Sequence, residues 1–239
     1  MEDWFSRTQQ LIGFDRLSLL QQSKVLVVGI GGVGAYAAEM LCRAGIGNIT
    51  IIDGDTINKT NINRQLIALH STLNQPKVNI LAQRLRDINP KLILDAQYQF
   101  LEKEEIDKII KNNKYDFVID AIDTLSPKIA LITACLKNKT KIISSMGAGG
   151  RIDPSKITFA DISETYHCGL AKAVRKRLQT LGIKKGLKVV FSTEQTERKS
   201  IIRTDEERNK KSTVGTISYL PAIFGCYLAS YTIRKLIGE

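Results

Sequence analysis

The chain has 239 residues, 43% of them hydrophobic and 25% charged, with a formal net charge of +11, so it can bury a core without covalent staples. No apolar run approaches the roughly 18 residues of a membrane-spanning helix, and the start (Met1, Glu2, Asp3, Trp4) has neither the basic nor the apolar part of a leader. The four cysteines, Cys42, Cys135, Cys168 and Cys226, form no C-x-x-C pair, which excludes a zinc ribbon and a disulfide framework and gives the expectation of a cytoplasmic protein with reduced, mostly buried thiols.

In chain order, Lys24 to Val28 reads as a short β-branched strand closed by Gly29, and residues 35–44 as a helix stopped by Gly45 and Gly47. Residues 48–52 predict a second strand ending at Asp53. Pro76 opens a helix in which Val78, Leu81, Ala82, Leu85 and Ile88 keep helical spacing until Asn89-Pro90 ends it. Strands are predicted at 92–96, 117–119 and 141–144, with helices at 102–111 and 127–138 between them. Alternating strands and helices with nearly all-apolar strands predict a mainly parallel sheet covered on both faces, a doubly wound α/β fold. That pattern covers residues 1–150.

After Gly147-Ala148-Gly149-Gly150 the alternation weakens, and residues 151–239 read as an additional C-terminal α+β portion of the same fold. A strand at 156–160, a basic amphipathic helix at 170–181 and a strand at 187–191 are expected. A polar segment at about 194–213 is predicted to be a mobile crossover loop, and residues 217–237, interrupted by Pro221, to be an apolar core helix. Between residues 170 and 211 there are thirteen Lys/Arg against five Asp/Glu. A basic region of this kind is either a solvated face or the electrostatic footprint of a nucleic-acid partner.

Gly29-Ile30-Gly31-Gly32-Val33-Gly34 is a G-x-G-x-x-G turn directly between a predicted strand and helix. Its glycines allow a tight turn and bring phosphate oxygens to the amides at a helix N-terminus. Asp53, at the end of the next strand, can accept from ribose hydroxyls. These features fit a nicotinamide-dependent dehydrogenase as well as any ATP enzyme. Asn61-Ile62-Asn63-Arg64-Gln65 and Gln75-Pro76-Lys77 then add two cations. A dinucleotide pyrophosphate needs little extra charge, whereas a triphosphate carries about four negative charges that must be neutralised if its α-phosphorus is attacked. Asp120 and Asp123 follow a strand at the carboxyl edge of the sheet, where Asp123 can hold Mg²⁺ and Asp120 is either a ligand-site residue or a turn cap.

From about residue 5 to 235, the chain resembles the ubiquitin-activating-enzyme-like (ThiF/MoeB/HesA) superfamily. The resemblance rests on Gly29-x-Gly31-x-x-Gly34, Asp53-x-Asp55, Asn61-x-x-Arg64-Gln65, Lys77 in Gln-Pro-Lys, and Asp120-x-x-Asp123. Gly147 to Pro154, the stretch from Leu170 to Arg175 and the stretch from Lys188 to Ser192 are similar to the tRNA threonylcarbamoyladenosine dehydratase subfamily. The resemblance implies a Rossmann-like adenylation domain using ATP and Mg²⁺. Asp53 would bind the ribose, Arg64 and Lys77 the phosphates, and Asp123 the Mg²⁺; Gly29, Gly31, Gly32, Gly34, Asp55, Asn61, Gln65 and Asp120 would complete the nucleotide site. Arg7 would reach the partner's site across a homodimer interface.

The implied substrate is tRNA carrying threonylcarbamoyladenosine beside the anticodon. The resemblance implies adenylation of its threonyl carboxylate, followed by ring closure with release of AMP. A cysteine desulfurase/sulfur-acceptor system is implied only as a working partner of relatives. An adenylyltransferase for a ubiquitin-like sulfur carrier is the alternative, although its Gly-Gly substrate needs no basic surface. A nicotinamide-dependent dehydrogenase and a non-catalytic nucleotide-binding scaffold also stay open. The cysteine-free stretch at 203–215 argues against a thioester route. Two departures from the subfamily stand out: His167-Cys168-Gly169 replaces a Cys-Pro pair, and residues 211–218 match only loosely.

Overall fold

The computed structural model describes residues 3–196, 201–203 and 212–239. Helices α1 (Ser6–Ile12) and α2 (Phe14–Gln22) precede β1 (Lys24–Val28), which leads through α3 (Gly34–Ala44) to β2 (Asn48–Asp53). The alternation continues with α4 (Lys77–Ile88), β3 (Ile93–Tyr98), α5 (Lys103–Asn112), β4 (Phe117–Asp120), α6 (Leu125–Lys137) and β5 (Ile142–Ser145). Then come β6 (Ile157–Asp161), α7 (Gly169–Thr180), β7 (Lys188–Ser192), β8 (Ile201–Arg203), β9 (Ser212–Val214) and α8 (Tyr219–Leu236). Every predicted strand and helix is present, with ends displaced by at most a few residues.

Seven strands form one sheet in the order β3-β2-β1-β4-β5-β7-β6. All neighbours are parallel except β6, which runs antiparallel to β7. Because side chains alternate along a strand, Val25 and Val27 join α3, α4 and α8 in one core while Leu26 and Val28 join α5, α6 and α7 in the other. This is why the central strands are apolar throughout. The edge strand β3 departs from that expectation: Ile93 is 68% exposed, since nothing pairs with its outer side. Pro221 lies in the first turn of α8, where its missing N–H removes no intrahelical bond.

Part of the segment expected to be a mobile crossover loop at about 194–213 is paired. Ile201–Arg203 pairs antiparallel with Ser212–Val214 in a separate two-stranded sheet. The β-branched pair Ile201-Ile202 favours that pairing, and the polar composition of the surrounding residues hid it. Residues 197–200 and 204–211 lie outside the described residues. No helix among the described residues is long and apolar enough to cross a membrane.

Helix α8 lies directly on α3, and Gly225 is the reason. A Cβ there would collide with the Val33 carbonyl oxygen and come within 2.9 Å of Tyr36 Cβ and 3.0 Å of the Ala37 nitrogen. Gly225→Ala is therefore expected to lower stability by about 1–3 kcal/mol through overpacking, read as a lower urea midpoint at unchanged slope. A midpoint equal to that of the parent chain would show that the two helices are not in this contact.

Candidate active site

The chain enters the sheet at β1, builds β2 and β3 to one side, then crosses to β4 on the other. The carboxyl ends of β1 and β4 thus flank the crevice where open α/β sheets bind ligands. The glycine turn sits there. Gly29 has φ 89°, and a Cβ on it would lie 2.8 Å from the Ala121 carbonyl oxygen. A Cβ on Gly34 would overlap the Gly29 carbonyl oxygen, whereas one on Gly31 would meet nothing closer than Gln65 Nε2 at 3.9 Å. Gly29 and Gly34 therefore close the turn, and Gly31 leaves its cavity side open at the start of α3, where the first amides lack intrahelical acceptors.

Asp53 joins the two halves of this corner. Its Oδ2 accepts from the Ile30 amide at 2.5 Å and its Oδ1 from the Asp55 amide at 2.7 Å. A carboxylate offers about four lone-pair directions, so two stay available for ribose hydroxyls. Lys77, the first residue of α4, is 5% exposed, and its Nζ lies 2.8 Å from Asp55 Oδ2. Arg64 runs past Gly32, with Cγ 3.4 Å from where a Cβ would stand, and donates through Nη1 to the Thr60 carbonyl and Asn63 Oδ1, both at 2.9 Å. Asn61 is buried, and its Oδ1 accepts from the Asn58 amide at 3.1 Å, shaping the loop that carries Arg64. Gln65 Oε1 is buried with no hydrogen-bond partner, an orphaned acceptor of the kind a ligand donor satisfies.

Gly29, Gly31, Gly32, Asp53, Asp55, Asn61, Arg64, Gln65, Lys77 and Asp123 all line one cavity of about 2080 Å³. Ligand pockets for one small molecule are commonly about 300–1,000 Å³, so this cavity has room for a nucleotide and a second reactant. No group of three or more His, Cys, Asp or Glu that could hold a metal occurs among the described residues. Asp123 is exposed on the cavity wall, where one carboxylate together with phosphate oxygens could hold Mg²⁺.

Three predicted residues lie outside the cavity lining, the first being Gly34, which packs beneath the Gly29 carbonyl and closes the turn without facing the cavity. Asp120 does not face the cavity. It is fully buried, 2.8 Å from Lys128 Nζ, and accepts from Ser144 Oγ at 2.5 Å and from the Ile122 amide at 3.1 Å. Of the two readings open in the sequence, the turn cap describes it. Arg7 is exposed on α1 and outside the cavity lining, so any part it plays there needs a second copy of the chain.

Sequence reasoning missed two side chains. Lys128 donates to the Ile122 carbonyl at 2.8 Å as well as pairing with Asp120, so it fixes the loop that carries Asp123. A cation in the first turns of an otherwise apolar helix, Leu125–Lys137, was its signal. Arg151 is 4% exposed and ties three cavity segments together through the Gly147, Gly149, His167 and Glu194 carbonyls at 2.5–3.1 Å. At the departure noted in the sequence, Cys168 Sγ caps α7 by accepting from the Ala171 amide at 3.4 Å, and His167 adopts φ 52°.

Compared with known proteins, residues 5–239 match the ThiF family. The Bacillus subtilis (strain 168) protein named tRNA threonylcarbamoyladenosine dehydratase is 39% identical over 98% of this chain and 95% of its own length. The crystal structure of the Escherichia coli tRNA N6-threonylcarbamoyladenosine dehydratase in complex with ATP matches with a TM-score of 0.89 at 36% identity, over 98% of this chain and 93% of that one. A molybdopterin-synthase adenylyltransferase from Haemophilus influenzae is 31% identical over only 68% of this chain and 69% of its own length.

Burial raises the Asp53 pKa above the ordinary 3.8, opposed by Lys77 and by the Asp55 and Ile30 amides. Ribose hydroxyls need the ionised carboxylate as acceptor. As pH falls, Asp53 takes up its proton at a higher pH than an ordinary aspartate, so ATP affinity should decline correspondingly early. Calorimetric titrations of the parent chain and Asp53→Asn, run from neutral pH down into the ordinary carboxylate range, should differ in steepness. Parallel profiles would remove Asp53 from the ribose contact.

Proposed function

The chain belongs to the ThiF family, and from that premise we propose that it is an ATP-dependent dehydratase of threonylcarbamoyladenosine in tRNA. The observation that carries this reading is the convergence of the open glycine turn, Asp53, Arg64 and Lys77 on one wall of a cavity large enough for two reactants. The sulfur-carrier alternative is weaker, because the adenylyltransferase resemblance covers about two thirds of the chain while the dehydratase resemblance covers 98%.

Asp53 orients the ribose, and the amides of the glycine turn meet the phosphates. Arg64 and Lys77 neutralise charge on the departing pyrophosphate; Lys77, held by Asp55, keeps its ammonium fixed before substrate arrives. Asp123 would hold Mg²⁺, which would screen the charge that otherwise repels an incoming carboxylate. The threonyl carboxylate oxygen bonds to the α-phosphorus as pyrophosphate leaves. The neighbouring carbamoyl group of the same nucleoside then attacks the acyl carbon, and AMP departs with the former carboxylate oxygen, so that one water is lost overall.

No enzyme nucleophile is needed. Burial pushes the thiols of Cys42 and Cys135 up to about 12 and also raises that of Cys226, which keeps all three protonated near neutral pH. A tRNA substrate supports a cytoplasmic site of action. Arg7 completes the site of a second protomer in a homodimer. Any sulfur-acceptor partner is accessory, since ring closure transfers no sulfur.

Incubation with ATP and tRNA bearing threonylcarbamoyladenosine is expected to release AMP and pyrophosphate, and tRNA lacking the modification should release none. Pyrophosphate exchange triggered instead by a small carrier protein would overturn the assignment. Arg64→Ala and Asp123→Ala should each lower AMP release by about 10²-fold or more, the usual loss when a transition-state charge partner is removed. Mixing Arg7→Ala with Asp123→Ala protomers should restore activity above either variant alone, because each hybrid dimer contains one intact site. Absence of complementation in dimers shown to have exchanged would remove Arg7 from the site.

A further inference from the structure

The cavity does not end at the nucleotide corner. It continues between α6 and α7, where Thr133 and Ala173 line its floor and Lys137 and Arg177 stand in its wall. At 1.5 Å per residue, α6 makes this extension roughly 18 Å long, farther than an activated nucleoside alone would reach.

The charge along it is one-sided. Helices α6 and α7 contain no Asp or Glu and six Lys or Arg. Two of the six are committed inward: Lys128 to Asp120, and Arg175 to the Thr165 hydroxyl at 2.5 Å and the Thr165 carbonyl at 2.9 Å. The other four, Lys137, Lys172, Lys176 and Arg177, are exposed. Two exposed cations in the wall of an elongated channel that opens from a nucleotide site, with two more on α7 outside it, fit a polyanion. A carrier protein's glycine tail ends in a single carboxylate and needs no such row of cations.

On the reading of function above, we propose that the α6–α7 channel is the docking surface for the RNA strand. Lys137 and Arg177 contact the sugar–phosphate backbone leading away from the modified nucleoside, and Lys172 and Lys176 extend the contact on the outer face of α7. The surface is narrower than the basic composition of the last third implied. It excludes Arg175, and it includes Lys137, which lies outside that region of the sequence.

The test is equilibrium binding of an anticodon stem-loop RNA carrying threonylcarbamoyladenosine to the full chain at several salt concentrations. Phosphate contacts steepen the fall of log K with log salt by about 0.7–0.9 per neutralised phosphate. The double variant Lys137→Gln/Arg177→Gln should therefore be shallower by about 1.5. It should also raise the KM for tRNA about tenfold while the KM for ATP holds, which general misfolding would not do. Arg86→Gln/Lys235→Gln, which removes exposed cations of α4 and α8 on the opposite face of the sheet, should leave the slope as it was. An unchanged slope in the channel variant, or an equal change in the control, overturns the docking surface even if tRNA-dependent AMP release persists. If the parent chain shows no tRNA-dependent AMP release, the functional reading fails first and the surface falls with it.

Discussion

A pair of opposite charges buried together beneath the sheet's carboxyl edge supports the whole nucleotide corner. Lys128 and Asp120 are both fully buried, and water solvates neither. Removing one partner of such a pair typically costs about 3–5 kcal/mol, because the remaining charge is stranded. Here the pair has a geometric consequence as well. Lys128 grips the Ile122 carbonyl, Asp120 grips the Ile122 amide, and Ser144 on the adjacent strand donates to Asp120. The loop from Ala121 to Asp123 therefore has little freedom. Gly29 packs against that loop, and Gly34 packs against Gly29. An apolar pair of equal volume could fill the space, but it could not hold both polar groups of Ile122. The ion pair is thus better understood as fixing position than as adding stability.

The cavity's electrostatics divide along its length. At the nucleotide corner, cations and anions alternate: Lys77 sits on Asp55 and acts on Asp53, while Arg64 is held by neutral oxygens only. This mixture suits a ligand with a hydroxylated sugar at one end and phosphates at the other. Midway, Arg151 presents a buried guanidinium whose hydrogen bonds go to main-chain carbonyls, so its positive charge is solvated by dipoles but not cancelled. An anionic substrate passing toward the α-phosphorus meets the negative charge of the phosphates ahead. The field of Arg151 offsets part of that repulsion before any contact is made.

Much of this was legible in the sequence because periodicity and turn chemistry act locally. The strands at Lys24–Val28 and Asn48–Asp53 could be seen from β-branched runs, and the helix at Lys77–Ile88 from its spacing and from Pro76. The glycine turn, Asp53 and Asp123 fall near each other in one cavity because they follow strand ends on the same edge of the sheet, and the loop with Arg64 and the start of α4 with Lys77 join them there. What escaped depended on long-range partners. Asp120 and Asp123 look equivalent in sequence, and only the arrival of Lys128 and Ser144 distinguishes the inward carboxylate from the outward one. Arg151 could not be told from a surface cation until the Glu194 and His167 carbonyls were brought to it. The hairpin of Ile201–Arg203 with Ser212–Val214 was concealed by polar composition, since two three-residue strands carry too little pattern to register.

The arrangement of the thiols bears on why this scaffold suits ring closure. A family fold that activates carboxylates can hand the acyl group to a cysteine, to a carrier or to a group already attached to the substrate. Handing it to cysteine requires a thiolate near the activated carbon, and burial makes Cys42 and Cys135 poor sources of one. Cys168 does face this part of the molecule, but its sulfur is buried and occupied as the cap of α7. With these thiols protonated or occupied, an activated acyl carbon is left to water and to the substrate's own neighbouring group. A tethered attacker has an effective concentration of about 10⁵ M or more when well oriented, against which 55 M water (about the bulk value) cannot compete. The wall can therefore be chemically passive, provided that it holds the reacting nucleoside in one orientation; the segments joined through Arg151 are placed to do that.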